Sequence, residues 1–119
     1  MWINEAEKNG AAGVDDDGNG YVDDIHGYNF YSDGPIKWDA EGESGHGTHV
    51  AGIIAAVNGN GIGVSSIAGG SGNGDGVRLM SCQLFEGYNA GADSEMAEAF
   101  IYAADNGACI AQCSYGYPA

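Results

Sequence analysis

The stretch SGHGTHVAGIIAA, residues 44–56, carries the clearest structural pattern of this 119-residue sequence. Four apolar residues recur at positions i, i+3, i+4 and i+7, which is the spacing of one face of an α-helix. Three of them are in this stretch and the fourth follows it directly. They are Val50, Ile53, Ile54 and Val57. Asn58 and Gly59 then supply a C-terminal stop signal. The pattern predicts a helix near residues 48–57, within a segment 46–58, whose apolar stripe packs on a core.

A second helix is predicted further along the chain, after a glycine-rich surface loop. Asp93 or Ser94 can cap its start, and residues 105–107 (Asp-Asn-Gly) are typical of its end. The residues expected to share its packed face are Met96, Phe100, Ala103 and Ala104.

Two strands are predicted on either side of this second helix. VRLMSCQLF, residues 77–85, is mostly apolar without clean alternation, as in a strand covered on both faces. ACIAQCSY, residues 108–115, has the same character. A strand, a helix and a strand within residues 77–116 predict a right-handed parallel crossover. The expected fold class is therefore α/β, a parallel sheet with helices on both faces.

The charge of the chain restricts its partners. It has 17 Asp and Glu residues against 3 Lys and Arg, which gives a formal net charge of −14. Nucleic acids and anionic membrane surfaces are bound mainly through Lys and Arg, so neither is expected as a partner. Small cations, calcium above all, are the partners that this charge favours.

The three cysteines cannot all pair within the chain, and their spacing does not match a zinc site. They are Cys82, Cys109 and Cys113. We expect them to be buried thiols, which is the commonest environment of a free cysteine.

An acidic stretch, DDDGNGYVDDIH, matches the ligand spacing of an EF-hand-like calcium loop. Oxygen-bearing residues alternate along it, Gly20 allows a sharp turn, and His26 stands where a bidentate Glu is usual. Asp24 or a residue from elsewhere would have to replace that Glu. The predicted ligands are Asp15, Asp17, Asn19, Asp23 and the carbonyl of Tyr21. The alternative is a solvated acidic turn without a metal.

His46 is the leading candidate for chemistry. It stands just ahead of the predicted first helix, where the rigid element would hold its ring at a fixed angle. An imidazole can take and return a proton near neutral pH, so His46 suits a general base. Taken alone, a single histidine of this kind is more often structural.

The sequence around His46 resembles the histidine segment of the subtilisin-like serine proteases, in which the first His of HGTHVAG is the catalytic base. Four further segments resemble successive segments of that family, in family order. They are GVDDDGNGYVDDIHGYNF at 13–30, NGIGVSSIAGG at 60–70, VRLMSCQLF at 77–85 and ADNGACIAQCSYG at 104–116. The resemblance implies a partial subtilisin-like fold and a serine endopeptidase working by an Asp/His/Ser triad.

The resemblance also assigns roles to particular residues. His46 would be the triad base, and His49 would be packed or hydrogen-bonded rather than catalytic. The loop at 87–93 would lie opposite a specificity pocket and form the other side of a cleft for an extended polypeptide substrate. The residues that would line the pocket are Ser114, Tyr115 and Gly116. Family members often bind structural calcium and are usually secreted or on the cell surface, so we expect both here.

The triad is incomplete in this sequence. No Asp-Thr-Gly or Asp-Ser-Gly precedes His46, and no Gly-Thr-Ser segment follows it. Residues 1–119 are therefore interpreted as part of one peptidase domain that begins after the catalytic Asp and ends after the cleft-lining strand. Its parts are an acidic loop region at 1–45, the histidine helix at 46–58 and the strand-helix-strand unit at 77–116. We expect this chain alone to be inactive as a peptidase and to self-associate through open strand edges and exposed apolar surface.

Two further functions remain open from the residues. The chain could be a non-catalytic, calcium-stabilised module whose missing Asp and Ser are real losses. It could also be a metal hydrolase in which His46 and His49 form an HxxH pair, although no positioned third ligand accompanies them.

Overall fold

The structure is a computed structural model that describes residues 1–37 and 45–116. Of the predicted acidic loop region, residues 38–44 therefore lie outside the described residues. The described part contains three helices and five short strands. The helices are Glu5–Asn9 (α1), His46–Ala55 (α2) and Asp93–Asp105 (α3). The strands are Gly27–Asn29 (β1), Gly34–Pro35 (β2), Ser81–Gln83 (β3), Phe85–Glu86 (β4) and Asn89–Ala90 (β5).

The main sheet is mixed and has the strand order β2-β1-β3. β1 pairs with β2 antiparallel and with β3 parallel, with Tyr28 opposite Cys82 in the parallel pair. Helix α2 lies in the connection between the two parallel strands. A parallel pair joined through a helix makes the chain α/β, as the sequence predicted.

The predicted strands differ from the observed ones. Only residues 81–83 of the predicted strand 77–85 join the main sheet, while Phe85 begins the small antiparallel hairpin β4-β5. Within the described residues 108–116 there is no strand. Ordinary strand structure needs a neighbour to pair with, and the Ala108 N–H instead donates to the Ala103 carbonyl at the end of α3. The predicted crossover between 77–85 and 108–115 is thus not formed here.

Helix α2 forms where the periodicity predicts it, but its apolar stripe is not buried. No residue of α2 is buried among the described residues, and Ile53 is 50% exposed. Helical periodicity reports which face is apolar, whereas burial needs a partner element to cover that face. The expectation that this stripe packs on a core is therefore wrong for the described structure.

Helix α3 begins and ends through local hydrogen bonds. The Glu95 side chain accepts from the Ala92 N–H at the start of the helix. At its end Gly107 has a positive φ of 83°, and its N–H donates to the Ala104 carbonyl. With the Ala108 bond to Ala103, this is a Schellman motif, so the predicted Asp-Asn-Gly stop is confirmed.

The packed face of α3 is rotated from the predicted one. Ala99 and Tyr102 are its buried residues and Met96 packs beside them, whereas Phe100 is 44% exposed. The aromatic side chain of Tyr102 occupies the interior because an aromatic cluster there accepts both its ring and its hydroxyl group. The apolar pattern alone does not predict that Tyr102 is a core residue.

The core is aromatic and small, and we call it the aromatic core. Tyr21 packs against it, with edge-to-face ring centroids 4.9 Å from Tyr28 and 4.8 Å from Tyr102. Its buried members are Tyr28, Phe30, Leu84, Ala99 and Tyr102. This core joins β1, the end of β3 and helix α3. Through Tyr102 it is hydrogen-bonded to Asp24 of the acidic stretch 15–26, which we call the acidic loop.

The cysteines are not all buried. Cys82 on β3 is half-buried beside the aromatic core, and burial raises the pKa of its thiol to about 11. Cys109 and Cys113 are exposed, so the expectation of buried thiols is wrong for these two. They lie in the segment 108–116, where no described strand pairing covers them. No helix among the described residues is both long and apolar enough to span a membrane.

Candidate functional site

His46 is the first residue of α2, directly after the N-cap Gly45. The backbone turn is fixed by the His49 N–H, which donates to the Gly45 carbonyl at 2.9 Å. Both histidine residues are exposed, so His49 is not packed; that it is hydrogen-bonded rather than catalytic stays a prediction. A rigid helix start with an exposed imidazole provides what a general base needs in access and orientation.

One of the predicted pocket residues, Tyr115, lies beside the β4-β5 hairpin. The ring of Tyr115 lies 5.5 Å from that of Phe85, the first residue of β4. Ser114 Oγ accepts a hydrogen bond of 2.8 Å from the Gln112 side-chain amide. The loop predicted as the opposite side of the cleft, 87–93, contains β5 and leads into α3. Tyr115 of the predicted pocket thus lies near the first strand of the hairpin that contains part of this loop.

The acidic loop is folded around the carboxylate of Asp15. Its Oδ1 accepts from the Gly18 and Asn19 N–H groups at 2.7 and 3.1 Å, and its Oδ2 accepts from the Gly20 N–H at 2.8 Å. These bonds hold the pKa of Asp15 below its usual value, and the bond from the Gly20 N–H has the largest effect. Positive φ angles of 71° at Gly18 and 95° at Gly20 make the tight path possible.

The other predicted calcium ligands are spread along the same loop. Asp17 Oδ1 accepts from the Asn19 N–H, and Asn19 Oδ1 accepts from the Tyr21 N–H. The Asp23 carboxylate accepts from the Gly13 N–H. The His26 ring Nδ1 lies 2.8 Å from the Trp2 carbonyl oxygen. His26 is thus engaged with the N-terminal segment.

A tighter group of acidic side chains forms where the loop meets α1. Single carboxylate oxygens of Glu7, Asp17 and Asp24 all lie within 4.8 Å of one another. We call these three residues the acidic cluster. The sequence predicts Asp17 as a ligand and offers Asp24 as a replacement for the absent Glu, but it does not predict Glu7. Glu7 lies in a separate helix, so the ligand spacing within the loop contains no signal for it.

The two buried members of the acidic cluster are held by hydrogen bonds. Glu7 accepts from the N–H groups of Asp16, Asp17 and Asp23, at 2.6, 3.3 and 2.9 Å. Asp24 accepts from Tyr102, Asn19 and Asn4 side chains, at 2.7, 3.1 and 2.8 Å. Burial raises the pKa of Asp24, and these three bonds oppose that increase. The bonds fix the direction in which each carboxylate points.

The acidic cluster fits a calcium ion by its donor chemistry. Calcium prefers oxygen ligands at about 2.3–2.6 Å, so two ligands of one ion are at most about 5 Å apart. The 4.8 Å limit among the three carboxylates meets this condition. Among the described residues the one salt bridge is that between Lys8 and Glu5, outside the cluster. A divalent cation would offset the repulsion of three carboxylates.

The similarity to known proteins defines the class of protein. A family model described as the Subtilase family matches residues 8–118, and the chain belongs to this family of serine proteases. The α/β architecture agrees with that membership.

Three individual relatives show how much of the chain is similar and how much of a whole protease it covers. Subtilisin-like protease 1 of Plasmodium vivax is 35% identical over 115 residues, which are 97% of this chain and 17% of that protein. The thermophilic serine proteinase of Bacillus sp. (strain AK1) is 35% identical over 92 residues, 77% of this chain and 21% of that protein. Subtilisin BL of Lederbergia lenta is 39% identical over 75 residues, 63% of this chain and 25% of that protein. The chain thus spans a quarter or less of the length of each of these relatives.

Proposed function

We propose that this chain is the histidine-bearing part of a serine endopeptidase that cleaves polypeptides bound in an extended conformation. The observation that carries the proposal is the position of His46, exposed at the start of α2 in a segment that matches the family. The whole enzyme would contain a parallel sheet with helices on both faces, of which the pairing of β1 with β3 is a part.

His46 acts in this proposal as the general base of an Asp/His/Ser triad. It would accept the proton of a serine hydroxyl that attacks the peptide carbonyl, and then return the proton to the leaving amine. The triad Asp and Ser are not recognisable in this sequence, so we propose that they come from other parts of the gene product. Alone, residues 1–119 would not hydrolyse peptides by this mechanism.

Ser114, Tyr115 and Gly116 are proposed to line the cleft on one side and the loop 87–93 on the other. The contact between Tyr115 and Phe85 supports this arrangement, because Phe85 is in the strand β4 that precedes the loop 87–93. An extended substrate would pair with the backbone of one segment as an added strand. We propose secretion or a cell-surface location, since such proteases act on external polypeptides.

The test is proteolysis by a protein lengthened at both ends with the flanking sequence of the same gene. We expect cleavage of a generic protein substrate, blocked by a serine-directed inhibitor, and lost by several orders of magnitude in His46→Ala. His49→Ala is the matched control and is expected to keep the activity. A folded lengthened protein without activity, or an active His46→Ala variant, would contradict the proposal.

Calcium is proposed as a structural cofactor of the acidic loop. The acidic cluster supports this, since it gathers three carboxylates, of which Asp17 is a predicted loop ligand, and the predicted ligand Asn19 is hydrogen-bonded to two of them. When bound, the ion would supply charge neutralisation, while Glu7 and Asp24 bind it from the buried side. A non-catalytic, calcium-stabilised module is the second candidate function, and this same cluster is the observation that favours it.

Removal of calcium tests this part of the proposal. A ligand that binds only the folded state at 100 times its Kd stabilises that state by about 2.7 kcal/mol. We expect a chelator to lower the melting temperature of the wild-type chain and to leave that of Glu7→Gln nearly unchanged. Equal melting of the wild type with calcium and with chelator would contradict a calcium site.

A further inference from the structure

The dipeptide Asn-Gly occurs six times in the chain, and the structure separates the six sites by their hydrogen bonds. They are residues 9–10, 19–20, 58–59, 60–61, 73–74 and 106–107. We propose that Asn60 and Asn73 are modification sites, at which the folded chain deamidates through a succinimide, and that the fold protects the other four asparagines.

The reaction consumes water and needs no cofactor. The backbone nitrogen of the glycine attacks Cγ of the asparagine, so that a C–N bond forms and the Cγ–Nδ2 bond breaks. The proton of the glycine N–H leaves with the side-chain nitrogen as ammonia. Water then opens the five-membered succinimide at either carbonyl, which gives aspartate or isoaspartate. Glycine allows the ring to close because it has no Cβ in the way.

The attacking nitrogen is available at the two proposed sites. Within residues 1–37 and 45–116, neither the Gly61 N–H nor the Gly74 N–H donates a hydrogen bond. Asn60 and Asn73 are both exposed, in a part of the chain without helix or strand. The attack there does not have to break an existing backbone bond, and water reaches the ring that must be opened.

Asn60 has a further advantage in the direction of its side chain. Its Oδ1 accepts a hydrogen bond of 3.0 Å from the Ile62 N–H. This turn folds the side chain back along the backbone past Gly61, and the donor withdraws electrons from the carbon that is attacked. Asn73 lacks this turn, since its side-chain amide donates to Ser71 Oγ at 2.9 Å. We therefore expect Asn60 to deamidate faster than Asn73.

At three of the other sites the glycine N–H is already bonded. The bonds run from Gly10 to the Glu7 carbonyl at 3.3 Å, from Gly20 to Asp15 Oδ2 at 2.8 Å, and from Gly107 to the Ala104 carbonyl at 3.0 Å. Each bond must open before the nitrogen can attack, so only the fraction of molecules that is locally open can react.

The remaining site, 58–59, is protected through its side chain. Asn58 is half-buried, and its Oδ1 accepts from Ser65 Oγ and from the Ser66 N–H, both at 2.7 Å. The side chain cannot swing toward the Gly59 nitrogen without breaking these two bonds.

Asn19 provides a comparison within the molecule. It is exposed like Asn60, and its Oδ1 accepts from the Tyr21 N–H in the same kind of turn, at 2.7 Å. The difference is that the Gly20 N–H donates to a carboxylate, and that the Asn19 amide also donates to carboxylates of the acidic loop. A hydrogen bond to a charged group lowers the open fraction by about tenfold or more. We therefore expect Asn60 to deamidate about tenfold or more faster than Asn19.

Incubation of the 119-residue chain in mildly alkaline buffer tests the proposal, with peptide mapping by mass spectrometry that separates asparagine, aspartate and isoaspartate. We expect conversion first at Asn60, then at Asn73, and about tenfold or more slowly at Asn19. The variant Asp15→Ala removes the acceptor of the Gly20 N–H. It should raise the rate at Asn19 and leave the rate at Asn60, in a separate loop, within about twofold.

The same chain in denaturant gives the rates of the unfolded sequence. There the six sites should react at similar rates, because each asparagine precedes a glycine and the hydrogen bonds of the fold are lost. Equal rates at all six sites in native buffer, or a rate at Asn19 or Asn106 that matches the rate at Asn60, would overturn the proposal. An unchanged rate at Asn19 in Asp15→Ala would overturn the protective role of the glycine hydrogen bond.

Discussion

The aromatic core and the face of helix α2 are built from similarly apolar residues, yet only one of them is covered. In the aromatic core, strand β1 and helix α3 bring rings into contact, and the buried hydroxyl of Tyr102 finds an acceptor. On the α2 face and the loop that follows it, apolar side chains stand in solvent. They are Ile53, Val57, Ile62, Val64 and Ile67. We call these five residues, one in α2 and four in the segment after it, the α2 face.

The contrast shows that apolar character by itself does not create a core. The aromatic core is enclosed because two elements from distant parts of the chain meet there and their polar groups are paired. The α2 face has no charge of its own, and exposed apolar patches of this kind usually mark a contact surface. We expect self-association of the isolated chain through this face, which remains a prediction.

Alanine substitution in each region should give the largest difference between them. Phe30 is 5% exposed and Ile67 is 88% exposed. Phe30→Ala should lower the free energy of unfolding by about 3–5 kcal/mol, because it leaves a cavity among the rings. Ile67→Ala should change it by no more than about 0.5 kcal/mol. Denaturant unfolding followed by circular dichroism measures both values, and similar losses would mean that the α2 face is covered in solution.

Glycine-to-alanine substitutions should also distinguish the two regions, with a smaller difference in the free energy of unfolding. Gly27 begins β1 at a φ of 124°, and a Cβ there would collide with the backbone carbonyl of Ser81 on β3. Gly61, in the loop after α2, has a φ of 71° and open space around it. Both alanine variants suffer the cost of a positive φ, but Gly27→Ala must also separate two paired strands.

We therefore expect Gly27→Ala to lose about 1–3 kcal/mol more stability than Gly61→Ala. The same unfolding experiment measures both variants. An equal loss would show that the parallel pairing of β1 with β3 contributes little to the fold.

Local signals in the sequence explain what could be predicted. The periodic stripe placed α2 within two residues of its observed start and end, and the Asp-Asn-Gly stop placed the end of α3. Both signals act over one or two turns of helix, so no distant residue is needed to read them. The position of His46 at the start of a helix follows from the same pattern.

Contacts between distant residues explain what could not be predicted. Glu7 joins the acidic cluster from another element, and Tyr102 reaches Asp24 across 78 positions. The segment 108–115 looks like a strand by composition, but strand pairing depends on a partner that composition does not reveal. For the same reason, the apolar stripe of α2 predicts which side of the helix is apolar, but it does not predict whether another element covers that side.

The smallest expected difference between regions is in the reactivity of the cysteines, which can be measured without a change to the fold. Burial raises the pKa of the Cys82 thiol to about 11, whereas Cys109 and Cys113 are exposed. Since the thiolate is the reacting form, only roughly 0.1% of Cys82 is reactive at pH 8. Alkylation by iodoacetamide, followed by mass spectrometry, should therefore be roughly tenfold or more slower at Cys82 than at the other two.

The pH dependence of this reaction sharpens the comparison. A raised pKa in the folded state means that Cys82 gains thiolate only as the pH rises toward 11, so its rate should keep increasing across that range. In denaturant the three cysteines should react at similar rates, because the burial beside the aromatic core is lost. Equal rates in the native chain would mean that the edge of the aromatic core at β3 opens as readily as the exposed segment 108–116.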